Sequence, residues 1–248
     1  MDRGAVLVIV GGWRPARVDT IEDVTPSARV LRLAVPGWPG SEPGQHVDIR
    51  LTAEDGYQAE RSYSLGSYGD GGTIELAVDE IPEGEVSPYL VRDVRPGDEL
   101  EVKGPLGGYF VWRPGGAEPV QLIAGGSGIV PLMAMARAAR DASAAASVRL
   151  LYSVRHATDA IYREELTAAA GDGGVAVTWA YTRGGPDGWT GRVGRVDDEF
   201  LIDAVWEPAR EPLVYVCGPT GFVEHVADAL VRLGHPPDRI KTERFGGA

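Results

Sequence analysis

The sequence predicts two successive domains, an all-β domain followed by an α/β domain built on a parallel sheet. In residues 16–113, short β-forming runs are separated by Pro-Gly and Gly-rich turns, which is typical of a small barrel or sandwich. In residues 117–248, apolar strands alternate with helices, which favours a parallel sheet covered on both faces. Residues 112–117 contain Pro114 and two glycines and form the best candidate linker, so we place the domains at residues 1–114 and 115–248.

The first domain is expected to contain six strands. They are Ala16–Val24, Ala28–Val35, His46–Leu51, Ser62–Gly66, Thr73–Val78 and Glu99–Lys103. The apolar run Ala5–Val10 precedes them and is too short for a signal-peptide core or a membrane span. We expect that run to be a tail or a first edge strand, and we expect no membrane association.

The second domain is expected to alternate strands and helices. Its strands are Pro119–Ala124, Val148–Ser153, Val175–Tyr181, Pro212–Cys217 and Ile240–Phe245, and its helices are Ile129–Arg140, Ile161–Ala169 and Thr220–Leu233. Apolar runs of this length, bounded by turn residues, are consistent with strands buried on both sides.

Composition narrows the class of protein. The net charge of -12 does not favour nucleic acid as a partner, because phosphates require clustered Lys and Arg. Cys217 is the single cysteine, which excludes an internal disulfide and a Cys-ligated iron–sulfur cluster within the chain and fits a cytoplasmic location. No spacing predicts a metal site: His46 is expected to be structural, and His156, His225 and His235 are expected to face solvent.

A glycine-rich turn joins the first strand of the second domain to its helix. Gly125, Gly126, Ser127 and Gly128 would let a nucleotide pyrophosphate approach the backbone and the N–H groups of the helix N-terminus. The pattern is incomplete because Pro131 stands where the dinucleotide fingerprint has its last Gly. A tight turn that binds no ligand is the alternative.

Three arginines bear on which nucleotide would bind. The second strand of this domain ends in Arg155 and not in the acidic residue that would hold ribose hydroxyls. Arg183 and Arg192 follow the third strand, and the planar guanidinium suits a 2′-phosphate. Each alone is more easily explained as a surface residue, but together they favour NADPH over NADH.

Four motifs in order resemble the ferredoxin–NADP reductase family. They are Arg61–Leu65, Gly84–Ser87, the turn Gly125–Gly128 and Cys217–Phe222, and the resemblance extends from about Pro15 to Phe245. It implies a six-stranded antiparallel barrel that binds FAD, followed by a doubly wound NAD(P)-binding domain. Some relatives carry a two-iron ferredoxin domain, whose cysteines this chain lacks, so the one-electron acceptor is expected to be a separate molecule.

The resemblance also implies roles for the barrel residues. Arg61 would pair with the flavin phosphate, Tyr63 would lie against the isoalloxazine ring, and Ser64 would donate a hydrogen bond to flavin N5. Ser62 belongs to the same string. Gly84, Val86 and Ser87 would form the start of a short helix that holds the flavin pyrophosphate, although an ordinary serine cap is equally compatible with this pattern.

In the second domain, the resemblance places Cys217, Gly218 and Pro219 in the nicotinamide pocket. A small buried apolar residue is the competing interpretation of Cys217. At the C-terminal end, Phe245 would shield the flavin ring and Glu243 would serve proton movement, with a solvated tail as the alternative. The catalytic candidates are thus Ser64, Cys217 and Glu243.

The expected function is transfer of a hydride from NADPH to FAD, followed by transfer of single electrons to a ferredoxin-like protein or an oxygenase component. One alternative is a free-flavin or ferric-chelate reductase, in which flavin binds loosely. A second is an electron-transfer subunit of a larger oxidoreductase complex, and a third is a nucleotide-binding module without flavin. FMN in place of FAD also remains open at this point.

Overall fold

The first domain is an antiparallel β-domain. The computed structural model describes residues 12–142, 147–171 and 174–246, so the run Ala5–Val10 lies outside the described residues. The strands are β1 (Trp13–Thr25), β2 (Ala28–Ala34), β3 (His46–Thr52), β4 (Gln58–Ser64), β5 (Thr73–Asp79) and β6 (Glu99–Leu106). Their order in the sheet is β4-β3-β6-β1-β2-β5, and all neighbours are antiparallel.

The sheet closes into a barrel at one point between its outer strands. Leu65, just after β4, forms an antiparallel bridge with Leu76 of β5, and the Gly66 N–H donates to the Glu75 carbonyl at 2.8 Å. A short π-helix, Tyr89–Asp93, places its buried residues in the barrel core. The six-stranded antiparallel barrel expected from the resemblance is therefore confirmed.

The second domain is a five-stranded parallel sheet with helices on both faces. Its elements are β7 (Val120–Gly125), α1 (Ile129–Asp141), β8 (Val148–His156), α2 (Arg163–Gly171), β9 (Val175–Gly184), α3 (Asp198–Ala204), β10 (Leu213–Pro219), α4 (Thr220–Arg232) and β11 (Ile240–Phe245). The strand order is β11-β10-β7-β8-β9. Alternate β7 residues face opposite helices, since Leu122 packs in the cluster that contains α1 and Ile123 in the cluster that contains α4. The doubly wound fold is confirmed.

The strand order creates a crevice at the carboxyl ends of β7 and β10. From β7 the chain runs outwards to β8 and β9, then returns to place β10 on the other side of β7. Ligands of open α/β sheets bind where the strand order reverses in this way. The glycine-rich turn after β7 and the Cys217 segment of β10 therefore meet at one edge of the sheet.

Helix α1 lies between the sheet and the barrel. Ten of its thirteen residues are buried. One apolar cluster contains eight of these ten residues together with Ala28, Ala77 and Phe110 of the barrel domain and Trp112, which is buried although it lies in the predicted linker. A continuous apolar interface of this kind restrains relative domain motion.

The expectation that His235 faces solvent is wrong, because its side chain is buried. Gly234, with φ +97°, ends the turn after α4, and the His235 N–H then donates back to the Leu230 carbonyl at 3.0 Å. The chain thus folds His235 onto the helix instead of leading it outwards. His156 and His225 are exposed, and His46 begins β3.

Within the described residues, we find no helix that combines the length and the apolar character required to cross a membrane.

Candidate active site between the two domains

Strand β4 presents its predicted residues on two faces. Arg61 and Tyr63 pair with Ile49 and Val47, whose side chains lie in the barrel core, so both point to the core side. Burial raises the pKa of Tyr63 to about 12, and nearby Arg61 opposes this only in part, so the phenol remains neutral. Ser62 points to the other face and donates to Asp48 at 2.6 Å, so the structure does not bring Ser62 to the same side as Arg61 and Tyr63.

Arg61 already has an anionic partner within the chain. Its Nη2 donates to Glu85 Oε2 at 2.6 Å, and the Tyr57 hydroxyl donates to Glu85 Oε1 at 2.6 Å. The Arg61 side chain is 52% exposed, so a ligand phosphate has access to it. The accessible guanidinium of Arg61 lies on the same strand as the phenol of Tyr63 and the hydroxyl of Ser64. This set of groups fits the phosphate and the ring of a flavin. Glu85 therefore occupies the place at Arg61 that such a phosphate would take.

The Gly84–Ser87 turn is stabilised by the side chain of Ser87. Ser87 Oγ accepts the Ile81 N–H at 3.0 Å, and Val86 is buried in the barrel core. A Cβ at Gly84 would lie 3.0 Å from the Ile81 carbonyl oxygen and 3.1 Å from Ser87 Oγ. Since the Ser87 hydroxyl is committed to the turn, we expect contacts from this turn to a ligand to come mainly from its backbone.

The glycines after β7 serve two different purposes. A Cβ at Gly128 would lie 2.2 Å from the Cys217 carbonyl oxygen, and one at Gly125 would lie 2.6 Å from the Phe222 ring. These two positions therefore need glycine for packing inside the protein. Gly126 has φ +54° and open space around its Cβ position. It therefore favours glycine for its backbone conformation and not for packing, and its backbone is open on that side. Ser127 is half-buried in the same turn.

Three catalytic candidates from distant parts of the chain meet at the domain boundary. Cys217 of β10 is paired in register with Glu243 of β11, and Ser64 Oγ donates to Glu243 Oε1 at 3.1 Å. Burial raises the pKa of Glu243, and the Ser64 hydrogen bond opposes that rise. Burial, together with the charge of Glu243, raises the pKa of the Cys217 thiol well above its ordinary value. The thiol is therefore neutral, which does not suit a nucleophile.

The neighbouring strand ends carry the remaining residues predicted for the nicotinamide site. Pro219 of β10 is paired in register with Phe245 of β11, and Gly218 is buried beside Gly125. Phe245 is half-buried and packs against the apolar cluster that contains α1. Phe245 is thus packed at the sheet edge and does not lie in a solvated tail.

The three predicted phosphate-binding arginines do not share one environment. Arg155 at the end of β8 and Arg183 at the end of β9 are both exposed. Arg192 is ion-paired with Asp197, and its guanidinium lies 6.0 Å from the Phe200 ring centre. It also lines a cavity of about 360 Å³ with Thr178, halfway along β9. Of these three arginines, Arg155 and Arg183 are the ones that lie at strand ends.

A second cavity, of about 760 Å³, lies at the other end of the barrel, where β4 begins. Trp13, Arg50 and Tyr89 line it, as do Tyr57 and Glu85. Glu85 is also the hydrogen-bond partner of Arg61. No sequence motif indicates this cavity. The groups that suit catalysis are at the domain boundary, so we place the candidate active site there.

Comparison with known proteins finds a matching family model for each half of the chain. The family model "Oxidoreductase FAD-binding domain" matches residues 15–111, and "Oxidoreductase NAD-binding domain" matches residues 122–228. Ferredoxin--NADP reductase B of Sorangium cellulosum is 37% identical over 213 residues, covering 82% of this chain and 85% of that protein. NADH-cytochrome b5 reductase 1 of Emericella nidulans is 28% identical over 229 residues, covering 88% of this chain and 73% of that protein. The solved structure of the ferredoxin reductase in carbazole 1,9a-dioxygenase covers 94% of this chain and 69% of its own, with 26% identity and a TM-score of 0.80.

Proposed function

Because the chain belongs to the ferredoxin–NADP reductase family of FAD- and NAD-binding oxidoreductases, we propose that it takes a hydride from NADPH and passes single electrons to a separate protein. A flavin, when bound, supplies the conversion of a two-electron donor into two one-electron steps. The protein supplies binding, orientation and exclusion of water.

The barrel residues would hold and orient the flavin. Arg61 offers its guanidinium to the phosphate, the neutral phenol of Tyr63 offers a flat wall, and the turn at Gly84, Val86 and Ser87 offers backbone N–H groups. Ser64 lies at the end of the same strand and places its hydroxyl at the domain boundary.

The second domain would supply the nucleotide and a route for protons. The turn Gly125–Gly128 and the segment Cys217–Pro219 form opposite sides of the crevice at the sheet edge. Phe245 and the buried Cys217 keep water out. Glu243 holds a proton more readily than an exposed carboxyl and is hydrogen-bonded to Ser64, so this pair is suited to moving a proton at the hydroxyl.

The choice of nucleotide and acceptor is the finer part of the proposal. Arg155 and Arg183 support NADPH, because exposed guanidinium groups at these strand ends suit a 2′-phosphate. The names of the relatives include a ferredoxin reductase of a dioxygenase system, which supports a ferredoxin-like protein or an oxygenase component as acceptor. A cytoplasmic location is proposed on the single cysteine alone.

The observation that carries this proposal is the contact between Ser64 and Glu243, because it joins the flavin strand of the barrel to the nucleotide crevice. The test is an absorbance spectrum of the purified protein, identification of the released flavin, and anaerobic titration with NADPH. We expect bound FAD, its bleaching by NADPH, and turnover with ferricyanide and with an added ferredoxin. A colourless protein that takes up no flavin would contradict the proposal. Flavin that is readily lost would favour the free-flavin or ferric-chelate reductase, and bleaching without turnover would favour a subunit of a larger complex.

A further inference from the structure

A second polar contact joins the two domains through Arg137 of α1. Arg137 is the single charged residue among the first eleven of that mostly buried helix, and its Nη1 donates to two barrel groups. These are the Gly66 carbonyl at 2.7 Å and Glu75 Oε1 at 2.6 Å. Its Nε and Nη2 form a bidentate pair with Glu165 of α2 at 2.9 and 2.6 Å. One guanidinium therefore connects the barrel with two helices of the nucleotide domain.

The carboxylate of Glu75 is almost fully satisfied by this arrangement. Its side chain is only 6% exposed. Besides Arg137, its Oε1 accepts the Tyr162 hydroxyl at 3.0 Å, and its Oε2 accepts Arg32 Nε at 3.1 Å. Burial raises the pKa of Tyr162 well above its ordinary value, so that hydroxyl remains protonated and donates. A buried carboxylate with a full set of donors fixes geometry, even where it adds little to stability.

Two backbone features are adapted to this contact. Tyr162 has φ +60°, a conformation that costs a bulky residue free energy and that persists only where the surroundings impose it. A Cβ at Gly66 would lie 2.3 Å from the Tyr162 hydroxyl and 3.0 Å from Glu75 Oε1. The interface therefore accepts no side chain at Gly66. We call Arg137, Glu75, Tyr162 and Gly66 the interdomain clamp.

The clamp acts on the two ends of the candidate active site. Gly66 follows Ser64 by two residues, and its N–H and carbonyl are both held, by Glu75 and Arg137 respectively. At its other end, α1 begins directly after the turn Gly125–Gly128. The helix therefore connects the nucleotide turn to the strand end that carries Ser64 by a short, rigid path.

We infer that Arg137 is a positioning residue, which holds the Ser64 end of the barrel at a fixed separation from the nucleotide turn. This inference rests on the proposed function, since the separation matters because hydride passes between the two domains. A displacement of about 1 Å at a reacting pair lowers a rate by up to about a hundredfold. Loss of the clamp should therefore reduce the rate of hydride transfer and leave the affinity for each cofactor unchanged.

The test compares Arg137→Ala and Tyr162→Phe with the wild-type holoprotein in stopped flow. We expect the limiting rate of flavin bleaching at saturating NADPH to fall by about tenfold to a hundredfold in Arg137→Ala. The fall should be smaller in Tyr162→Phe, which removes one hydroxyl and keeps the ring, and which remains informative if the Ala variant does not fold. Flavin and nucleotide dissociation constants should stay at wild-type values. The control is Arg232→Ala, which breaks an Arg–Asp198 pair within the nucleotide domain, at 2.7 Å, and should leave the rate unchanged.

Hydrogen exchange provides a readout that needs no turnover. The segment containing the Gly66 N–H should exchange faster in Arg137→Ala than in wild type, and not in Arg232→Ala. Unchanged limiting rates in both clamp variants, or unchanged exchange at Gly66, would overturn the inference. If the wild-type protein bound no flavin or was not bleached, the proposed function would fail, and exchange alone would decide whether Arg137 holds the strand end.

Discussion

Ser64 donates a hydrogen bond to Glu243 across the domain boundary, with 3.1 Å between Ser64 Oγ and Glu243 Oε1. Glu243 is also the register partner of Cys217 in the neighbouring strand. The contact therefore joins the end of a barrel strand, the last strand of the parallel sheet and the crevice at its switch point. This is the place where a flavin held by the barrel and a nucleotide held by the sheet would meet.

We predict that Ser64→Ala slows flavin reduction and leaves the flavin bound. The variant removes a hydroxyl at the domain boundary and leaves Arg61 and Tyr63 in place. Loss of one hydrogen bond to a reacting group corresponds to about a tenfold fall in rate, at about 1.4 kcal/mol. Stopped-flow bleaching by NADPH measures the rate, and the absorbance of the bound flavin is the control. Reduction at the wild-type rate would remove the role assigned to Ser64.

We predict a pH-dependent stability difference between Glu243→Gln and the wild type. Burial raises the pKa of Glu243 above its ordinary 4.5, so the folded state binds the proton more tightly than the unfolded state. The stabilisation is complete below the ordinary pKa and is lost as the pH rises through the raised pKa. The Gln variant has no such loss. The free energy of unfolding of Glu243→Gln minus that of the wild type should therefore increase as the pH rises through this window.

Urea unfolding of both proteins from about pH 5 to about pH 8 measures this difference. Ser64→Ala serves as a second comparison, because it removes the hydrogen bond that lowers the pKa of Glu243. In Ser64→Ala the pKa of Glu243 should rise further, so the loss of stability should extend to higher pH. A difference between Gln and wild type that does not vary with pH would show that Glu243 is not perturbed by burial.

We predict opposite effects on flavin affinity for the two members of the Arg61–Glu85 pair. Arg61→Ala removes the phosphate partner and should cause loss of flavin. Glu85→Gln removes the competing carboxylate and should tighten flavin binding by about fivefold at most, since an exposed, solvent-screened ion pair contributes little. Fluorescence titration of the flavin-free protein with FAD measures both. Tyr57→Phe is the control, because it removes a bond to Glu85 without altering its charge.

The elements of the fold were predictable because each depends on residues close together in the chain. The switch point also followed from local patterns, once the glycine turn and the Cys217 segment were assigned to strand ends. Helix α3 was missed because it has only seven residues, although Asp197 accepts the Phe200 N–H as an N-cap, a signal that the sequence contains. His235 was misjudged because its burial depends on the turn at Gly234, which brings the chain back onto α4.

The contacts at the candidate site were harder to predict because they join distant residues. Ser64 and Glu243 are 179 positions apart, and Glu75 and Arg137 are 62 apart. Glu85 lies within the motif Gly84–Ser87, but no neighbouring residue in the sequence indicates that its carboxylate pairs with Arg61. Sequence pattern also cannot distinguish a glycine whose Cβ position is open, such as Gly126, from one whose Cβ position is filled by packing, such as Gly128.

We predict that Arg155→Ala and Arg183→Ala raise the KM for NADPH and barely change that for NADH. Each exposed guanidinium would lose a charge-assisted contact to the 2′-phosphate, which corresponds to about tenfold or more. Arg192→Ala is the matched control, because its side chain is engaged with Asp197 and should matter less. Steady-state kinetics with both nucleotides gives the comparison. Equal effects on NADPH and NADH would contradict selection through the 2′-phosphate.

We predict that Gly126→Ala and Gly128→Ala fail in different ways. At Gly128, a methyl group would lie 2.2 Å from the Cys217 carbonyl oxygen, so β10 or α1 must shift and stability should fall by about 3 kcal/mol or more. At Gly126 the methyl group meets open space, and the left-handed backbone costs about 1–2 kcal/mol. Gly126→Ala should therefore fold but bind nucleotide more weakly, because its methyl group extends towards the side from which a phosphate would approach.

Thermal melting and nucleotide titration of the two variants separate these effects. Gly126→Asn is the control, since Asn accepts the left-handed conformation and still adds a side chain on the open side. It should melt close to the wild type and share the weak nucleotide binding. If Gly126→Ala and Gly126→Asn both bound nucleotide as tightly as the wild type, the turn would be a packing feature of the sheet edge and not a phosphate site.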